Sequence, residues 1–398
     1  MLTLDKIYHA SYVLKDMIRR TDLIYAPNIN SESQIYLKTE NLQVTGSFKV
    51  RGSAYMISQL GEDEKKKGVI ACSAGNHAQG VALAAAKNGI KSLICLPDGA
   101  PISKVEATKH YGAEVCLVEG VYDDAYNKAL ELKEKMGYTF IHPFDDENVI
   151  AGQGTIGLEL LDQLPDADAV IVPIGGGGLI SGVAFAIKSL NPKIKVYGVQ
   201  ASGAPSMLES VKAKHIQGLE NVSTIADGIA VKMPGEHTFQ YCQKYVDDIV
   251  TVTDDEISTA ILTLIEQQKL IAEGAGAVSV AAALFNKVPV KGKKVICLVS
   301  GGNIDVTILS RVIKRGLLKS GRSYSLTIEL MDKPGQLKGV SEIIARLGGN
   351  VVSIHHERAS EGSDINGCYL RVVLETRNYE HIQEIKNALI GAGYHITQ

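Results

Sequence analysis

From about residue 68 the chain repeats one pattern. A short apolar, β-branched run gives way to a Gly-rich or polar turn, and then to an Ala/Leu-rich stretch with helical spacing. Gly68-Val-Ile-Ala-Cys72 leads through Ser-Ala-Gly-Asn-His into a helix over 79–87, and Ser92-Leu-Ile-Cys-Leu96 leads past Pro97 and Pro101 into a helix near 102–111. Val115-Cys-Leu-Val118 precedes a helix over 123–136, and Ala169-Val-Ile-Val-Pro-Ile174 precedes 175–190. Val196-Tyr-Gly-Val-Gln200 and Val295-Ile-Cys-Leu-Val-Ser300 are further strands of the same kind. Strands apolar on both faces, alternating with helices, predict parallel sheets covered on both sides and place the chain in the α/β class.

After Ile308 the pattern changes. Residues 311–322 are basic and contain Gly316 and Gly321, which reads as a linker. Residues 323–331 then alternate apolar and polar, followed by a helix over 334–347, strands over 350–357 and 368–375, a helix over 379–391 and a strand near Tyr394. That βαββαβ order predicts a small ferredoxin-like domain. No residue-level repeat is evident.

A length of 398 residues leaves room for two or three domains. The apolar share of 45% and charged share of 21% exclude wholesale disorder. With 41 basic against 44 acidic residues, the net charge of -3 gives no reason to expect a nucleic-acid or membrane-surface partner. Six cysteines without a CxxC pair fit reduced thiols in the cytoplasm. The opening MLTLDKIYHA lacks the apolar core of a signal peptide. Residues 169–187 are uncharged, but Pro173 and four glycines make them strand, loop and helix, not a span.

Four segments could carry chemistry. In Thr45-Gly-Ser-Phe-Lys49-Val-Arg-Gly-Ser, Lys49 follows an aromatic and a Gly turn and opens an apolar helical pattern of Val50, Ala54, Ile57 and Leu60. A surface lysine is the commoner fate. A helix N-terminus repels cations, however, and a lysine there beside Phe48 suits an amine that must act as nucleophile and base. Ser73-Ala-Gly-Asn-His-Ala-Gln-Gly80 lies between strand and helix, where backbone N–H groups with Ser and Asn side chains can hold a carboxylate. An ordinary turn with His77 as a cap or core histidine reads equally well.

Pro173-Ile-Gly175-Gly-Gly-Gly178-Leu lets backbone approach a phosphate closely. No register gives G-x-G-x-x-G, and the next strand ends in Gln200 where ribose binding wants an acid, so one phosphate fits better than a dinucleotide. Val299-Ser300-Gly-Gly-Asn303 offers a hydroxyl able to hydrogen-bond a heterocycle nitrogen without charging it, or simply a turn that closes a strand. No metal-ligand spacing stands out. His355 and His356 are strand neighbours pointing to opposite faces and cannot share one ion.

Taken together and in this order, the four segments resemble the fold-type II pyridoxal-phosphate enzymes (tryptophan synthase β-like), most closely the threonine dehydratases. The resemblance spans nearly the whole chain. It implies a two-lobed catalytic domain over 1–310, with a smaller lobe of about 45–145 inserted in the larger, a linker at 311–322 and a regulatory ACT domain over 323–398. By that resemblance Lys49 carries pyridoxal 5′-phosphate as a Schiff base, Phe48 packs on its ring and Asn76 bonds the ring 3′-oxygen. Gly175, Gly176, Gly177 and Gly178 cradle the phosphate, Ser300 faces the pyridine nitrogen, and Gly228 lends a backbone carbonyl nearby. Ser73, Gly75, Asn76 and His77 line the substrate carboxylate site. The implied reaction is dehydration and deamination of threonine, with serine as a second substrate.

Serine racemases of the same fold are the nearest alternative. They resemble this chain but carry a second Ser where it has Ala74, and an acidic divalent-metal site where it reads Gln200-Ala-Ser-Gly-Ala-Pro-Ser206. No metal is therefore implied. A non-enzymatic amino-acid sensor is the alternative from another class, and the intact Lys49, Asn76, tetraglycine and Ser300 argue against it. In the ACT part, Pro334 is expected in the first helical turn and Gly335 beside open N–H groups, leaving a carboxylate site near Asn350 of a paired domain. An allosteric amino acid or nucleotide is the expected effector, and a homodimer or homotetramer the expected assembly. A dimerisation module without a ligand is the rival reading.

Overall fold

The computed structural model describes residues 2–358 and 367–397. The chain divides into two units, Met1–Asp305 and Val306–Gln398. In the first, β1 (Leu23–Tyr25) and β2 (Gln34–Lys38) begin one sheet. Next, β3 (Val69–Cys72), β4 (Ser92–Pro97), β5 (Glu114–Val118) and β6 (Thr139–Phe140) form a second, and β7 (Ala169–Pro173), β8 (Lys195–Ala201), β9 (Asp248–Val252) and β10 (Lys294–Leu298) return to the first. The larger sheet runs β1-β2-β10-β7-β8-β9 and is parallel except at the β1 edge. The smaller runs β5-β4-β3-β6 and is parallel throughout.

Every residue of β3 and of β7 is buried, as expected for strands with helices on both faces. The stretch 169–187 resolves into β7, the glycine loop and helix Gly178–Leu190, as read from its Pro and Gly content. Among the described residues no helix is long and apolar enough to cross a membrane.

A buried ion cluster fixes the helix that Lys49 opens. Arg51, on helix Lys49–Ser58, reaches both oxygens of Glu40 at 2.8 Å and both of Glu159 at 2.7 and 3.0 Å. Lys38 on β2 donates to Glu159 at 2.5 Å, and to the Thr21 carbonyl at 2.7 Å. Two cations against two carboxylates leave no net buried charge, which is the condition under which such a cluster is tolerable. The arrangement ties the Lys49 helix to β2 and to helix Glu147–Gln163.

In the second unit, β11 (Ser323–Met331), β12 (Asn350–Glu357), β13 (Gly367–Glu375) and β14 (His395–Ile396) form an antiparallel sheet in the order β12-β13-β11-β14. Helices Gln336–Arg346 and Tyr379–Gly391 complete the ferredoxin-like βαββαβ order. Its core is built from Leu326, Ile328, Val340, Ile344, Leu370, Val372, Leu374 and Leu389.

Two details differ from the sequence reading. Most of the stretch taken as a linker, 311–322, lies in helix Val306–Lys319, which belongs to the second unit. Gly316 lies inside that helix: a lone glycine costs a helix only ~1 kcal/mol, and Val312 is buried on the helix's inner face. Gly321, with φ +66°, is the true stop. Helix 334–347 in turn begins two residues late, at Gln336, because Gly335 takes φ +96° as its N-cap and leaves Pro334 in the turn outside.

Candidate active site

The loops that follow β3, β7 and β10 all leave the carboxyl ends of parallel strands, where α/β sheets leave room for ligands. The turn before Lys49 is fastened to the loop after β10. Ser47 bridges Gly301, the Phe48 N–H donates to the Ser300 carbonyl at 3.1 Å, and the Gly302 N–H donates to the Gly46 carbonyl at 2.9 Å. Phe48 caps the Lys49 helix and its ring lies 5.5 Å from the Lys49 ammonium.

The Lys49 amine donates to the Pro143 carbonyl at 2.9 Å. The next residue, Phe144, lies on the tetraglycine: a Cβ on Gly176 would stand 2.5 Å from its ring, and one on Gly178 would stand 2.7 Å from its carbonyl oxygen. Gly177, at φ +98°, is the N-cap of helix Gly178–Leu190 and adopts a conformation only glycine takes without strain. A side chain at these positions would fill the loop. Asp145 then accepts from the Glu236 and Thr238 N–H groups at 3.0 and 3.1 Å, and the Thr238 hydroxyl donates to the Gly176 carbonyl at 2.6 Å. The segment His142-Pro-Phe-Asp145 thus joins the lysine to the glycine loop.

Asn76 opens helix Asn76–Lys87 after Gly75, and the Gly75 N–H donates to the Ser73 hydroxyl at 3.2 Å. Its side chain is held at both ends, donating to Glu273 at 2.6 Å and accepting from Asn303 at 2.8 Å. Glu273 caps helix Gly274–Leu284, and its N–H donates to the Gly301 carbonyl. A Cβ on Gly301 would sit 2.5 Å from the Glu273 carboxylate, so the loop after β10 closes on that carboxylate. Gly228 lies against Ala275 and Glu273, and Ser300 is buried with its hydroxyl donating to the Ala275 carbonyl at 3.3 Å.

Lys49, Phe48, Asn76, the four glycines, Gly228 and Ser300 are therefore linked through shared neighbours, as are Ser73 and Gly75 through Asn76. His77 is a partial correction. Its ring is buried, with Nε2 donating to the Ile141 carbonyl at 2.8 Å and Nδ1 3.4 Å from the Ser53 hydroxyl. Only its backbone N–H remains for a carboxylate. Gly335 and Asn350 are not brought together within one chain. Asn350 pairs with Glu375 at one end of its sheet, whereas Gly335 follows Met331 at the other.

Electrostatics sharpen the centre. The Lys49 side chain is half-buried as a whole while its ammonium is wrapped by protein. Burial lowers its pKa to about 8, with Glu273 pulling the other way. Burial, then Asp227, raises Glu273 to about 7. Burial and Lys49 push His77 down to about 3, so it stays neutral. An amine near 8 keeps a useful neutral fraction at neutral pH, as a nucleophile requires.

The residues fit pyridoxal phosphate. They offer a reactive amine, a cradle from which side chains are excluded, a helix N-terminus for a phosphate, an aromatic face, an amide donor and an uncharged hydroxyl. Glu273, Pro143 and Phe144 were not singled out from the sequence, and Asn303 entered only as the end of the Ser300 segment, without a role. The available signal for Glu273 was a lone acid flanked by small residues in Ile271-Ala-Glu-Gly-Ala-Gly.

Comparison with known proteins agrees with this fit. The family of pyridoxal-phosphate dependent enzymes matches residues 14–301, and the ACT domain family matches 324–391. An L-threonine ammonia-lyase of Thermotoga maritima is 51% identical over 398 residues, covering 100% of this chain and 99% of the relative. Another, from Geobacter sulfurreducens, is 45% identical over 99% of this chain and 98% of its own length. Among solved structures, the processed form of threonine deaminase isoform 2 from Solanum lycopersicum superposes with a TM-score of 0.75 at 39% identity, over 79% of this chain and 90% of that one. Maize serine racemase superposes with a TM-score of 0.75 at 36% identity, over 80% of this chain and 98% of that one.

Proposed function

Because the chain belongs to the family of pyridoxal-phosphate dependent enzymes and carries an ACT domain, we propose that it converts L-threonine, with L-serine as a second substrate, to the 2-oxo acid and ammonia. The observation that carries this reading is the Lys49 amine, lowered to about 8 and linked through Pro143 and Phe144 to the glycine loop.

When bound, pyridoxal phosphate supplies a carbonyl that captures amines and a ring that withdraws electrons from the substrate α-carbon. Gly175 to Gly178 and the N-terminus of helix Gly178–Leu190 would hold its phosphate. Asn76, fixed by Glu273 and Asn303, would present its second amide N–H to the ring oxygen. The Ser300 hydroxyl, now on a long bond to the Ala275 carbonyl, would be free to turn and donate to the ring nitrogen. Being neutral, it supplies no proton there, which favours prompt loss of the β-substituent over transamination. Ser73, with the backbone N–H groups of Asn76 and His77 in the first helical turn, receives the substrate carboxylate. Lys49, once its amine is free, takes the α-proton. Loss of the threonine β-hydroxyl as water leaves an enamine, which tautomerises and hydrolyses to 2-oxobutanoate and ammonia.

An amino acid acting on the ACT unit, and assembly as a homodimer or homotetramer in the cytoplasm, extend the same reading. Calorimetry with branched-chain amino acids and light scattering test those parts. The test of the reaction is turnover by the purified, cofactor-loaded chain. Equal amounts of 2-oxobutanoate and ammonia from L-threonine are expected, with none from Lys49→Ala. D-serine accumulating from L-serine as the main product would replace the lyase reading with a racemase.

A further inference from the structure

The far end of the second unit gathers three side chains of ligand type that the reaction does not use. Asp332 lies in the turn after β11, His356 near the end of β12 and Cys368 near the start of β13. Strand register explains the meeting. Cys368 pairs with Leu330, two residues before Asp332, and His356 pairs with Leu370, two residues after Cys368. Side chains two apart share a face of the sheet. Leu370 and Cys368 both face the helix-covered side, so His356 faces it too, yet it remains exposed at that end. One ligand atom from each of the three residues lies within 4.8 Å of the other two.

We propose that Asp332, His356 and Cys368 form a binding site for a divalent transition-metal cation of the zinc class, with water completing a four-coordinate shell. The donor set selects the class. Thiolate and imidazole favour zinc and its neighbours, whereas magnesium and calcium demand oxygen ligands. Metal–ligand bonds of about 2.0–2.3 Å in a tetrahedron set donors about 3.3–3.8 Å apart. The present spacing closes to that by rotation of the exposed Asp332 and His356 side chains.

Two exchanges accompany binding. Asp332 now pairs with the Arg358 Nε at 3.1 Å, and the ion displaces that exposed guanidinium. The Cys368 S–H bond breaks as the sulfur–metal bond forms, and the proton leaves to solvent. The bound ion fastens the turn that leads into helix Gln336–Arg346 to the β12–β13 pair.

The experiment uses the full chain, loaded with its cofactor and stripped of metal by a chelator. Zinc is titrated in competition with a chromogenic chelator, and the bound ion is examined by X-ray absorption at the zinc edge. The expected result is one ion per chain with a single sulfur at about 2.3 Å and nitrogen or oxygen neighbours at about 2.0–2.2 Å. Cys368→Ser removes the sulfur shell. His356→Gln, at an exposed position that leaves folding intact, weakens binding at least about tenfold, since loss of even an outer partner of a ligand costs that much. A zinc shell without sulfur, or binding unchanged by His356→Gln, overturns the proposal.

Discussion

Glu273→Gln separates the charge of this carboxyl from its shape. Glu273 sits in the site with its pKa raised from 4.5 to about 7 by burial and then by Asp227, against the lowering influence of Asn76, Lys104 and Lys49. In the unfolded chain the same carboxyl ionises at its ordinary value. Between about pH 4.5 and 7 the folded state therefore keeps a proton that the unfolded state has lost, and stability falls as pH rises through that window. At about 1.36 kcal/mol per pH unit the full effect is about 3 kcal/mol. Glutamine keeps an oxygen to accept from Asn76, whose bond to Glu273 measures 2.6 Å, and carries no charge. Urea unfolding of the cofactor-free protein should then give equal stabilities for wild type and Glu273→Gln below about pH 4.5. Above about pH 7.5 the variant should be more stable by about 3 kcal/mol. A difference that does not change with pH would refute this, because it would mean that Glu273 titrates at the same pH in the folded and the unfolded chain.

Gly176→Ala sets a methyl 2.5 Å from the Phe144 ring. At about 1–3 kcal/mol for such overpacking, it should weaken pyridoxal phosphate binding about tenfold or more, measured by equilibrium dialysis. Arg51→Met leaves Glu40 buried without its cation. It should cost about 3–5 kcal/mol in chemical denaturation, and unchanged stability would deny the ion cluster its role.

The parallel strands were legible because burial on both faces writes continuous apolar runs such as Ala169–Pro173. β2 was not, since Gln34-Ile-Tyr-Leu-Lys38 ends in a lysine that is buried only because Glu159, 121 residues away in sequence, receives it. β6 has two residues and no pattern to read. Helix Val306–Lys319 was hidden by its basic outer face and by Gly316, a residue that is costly in a helix but does not break this one.

In the site, glycine runs and strand-end turns marked the backbone that approaches a ligand. The pieces that orient it escaped notice because each meets its partner across long sequence distance, as Asn76 meets Glu273 across 197 residues. The sequence left His77 open between ligand and core histidine. Its bond to the Ile141 carbonyl assigns the ring to the core.

The lyase reading stands on the Lys49 amine, at the Pro143 carbonyl, being the group that would hold pyridoxal phosphate covalently. Reduction of the loaded protein with borohydride turns the Schiff base into a stable secondary amine, and mass mapping of the digested chain locates it. The pyridoxyl group is expected on the peptide that contains Lys49. Its appearance on another lysine, or on none, would rule out Lys49 as the attachment point.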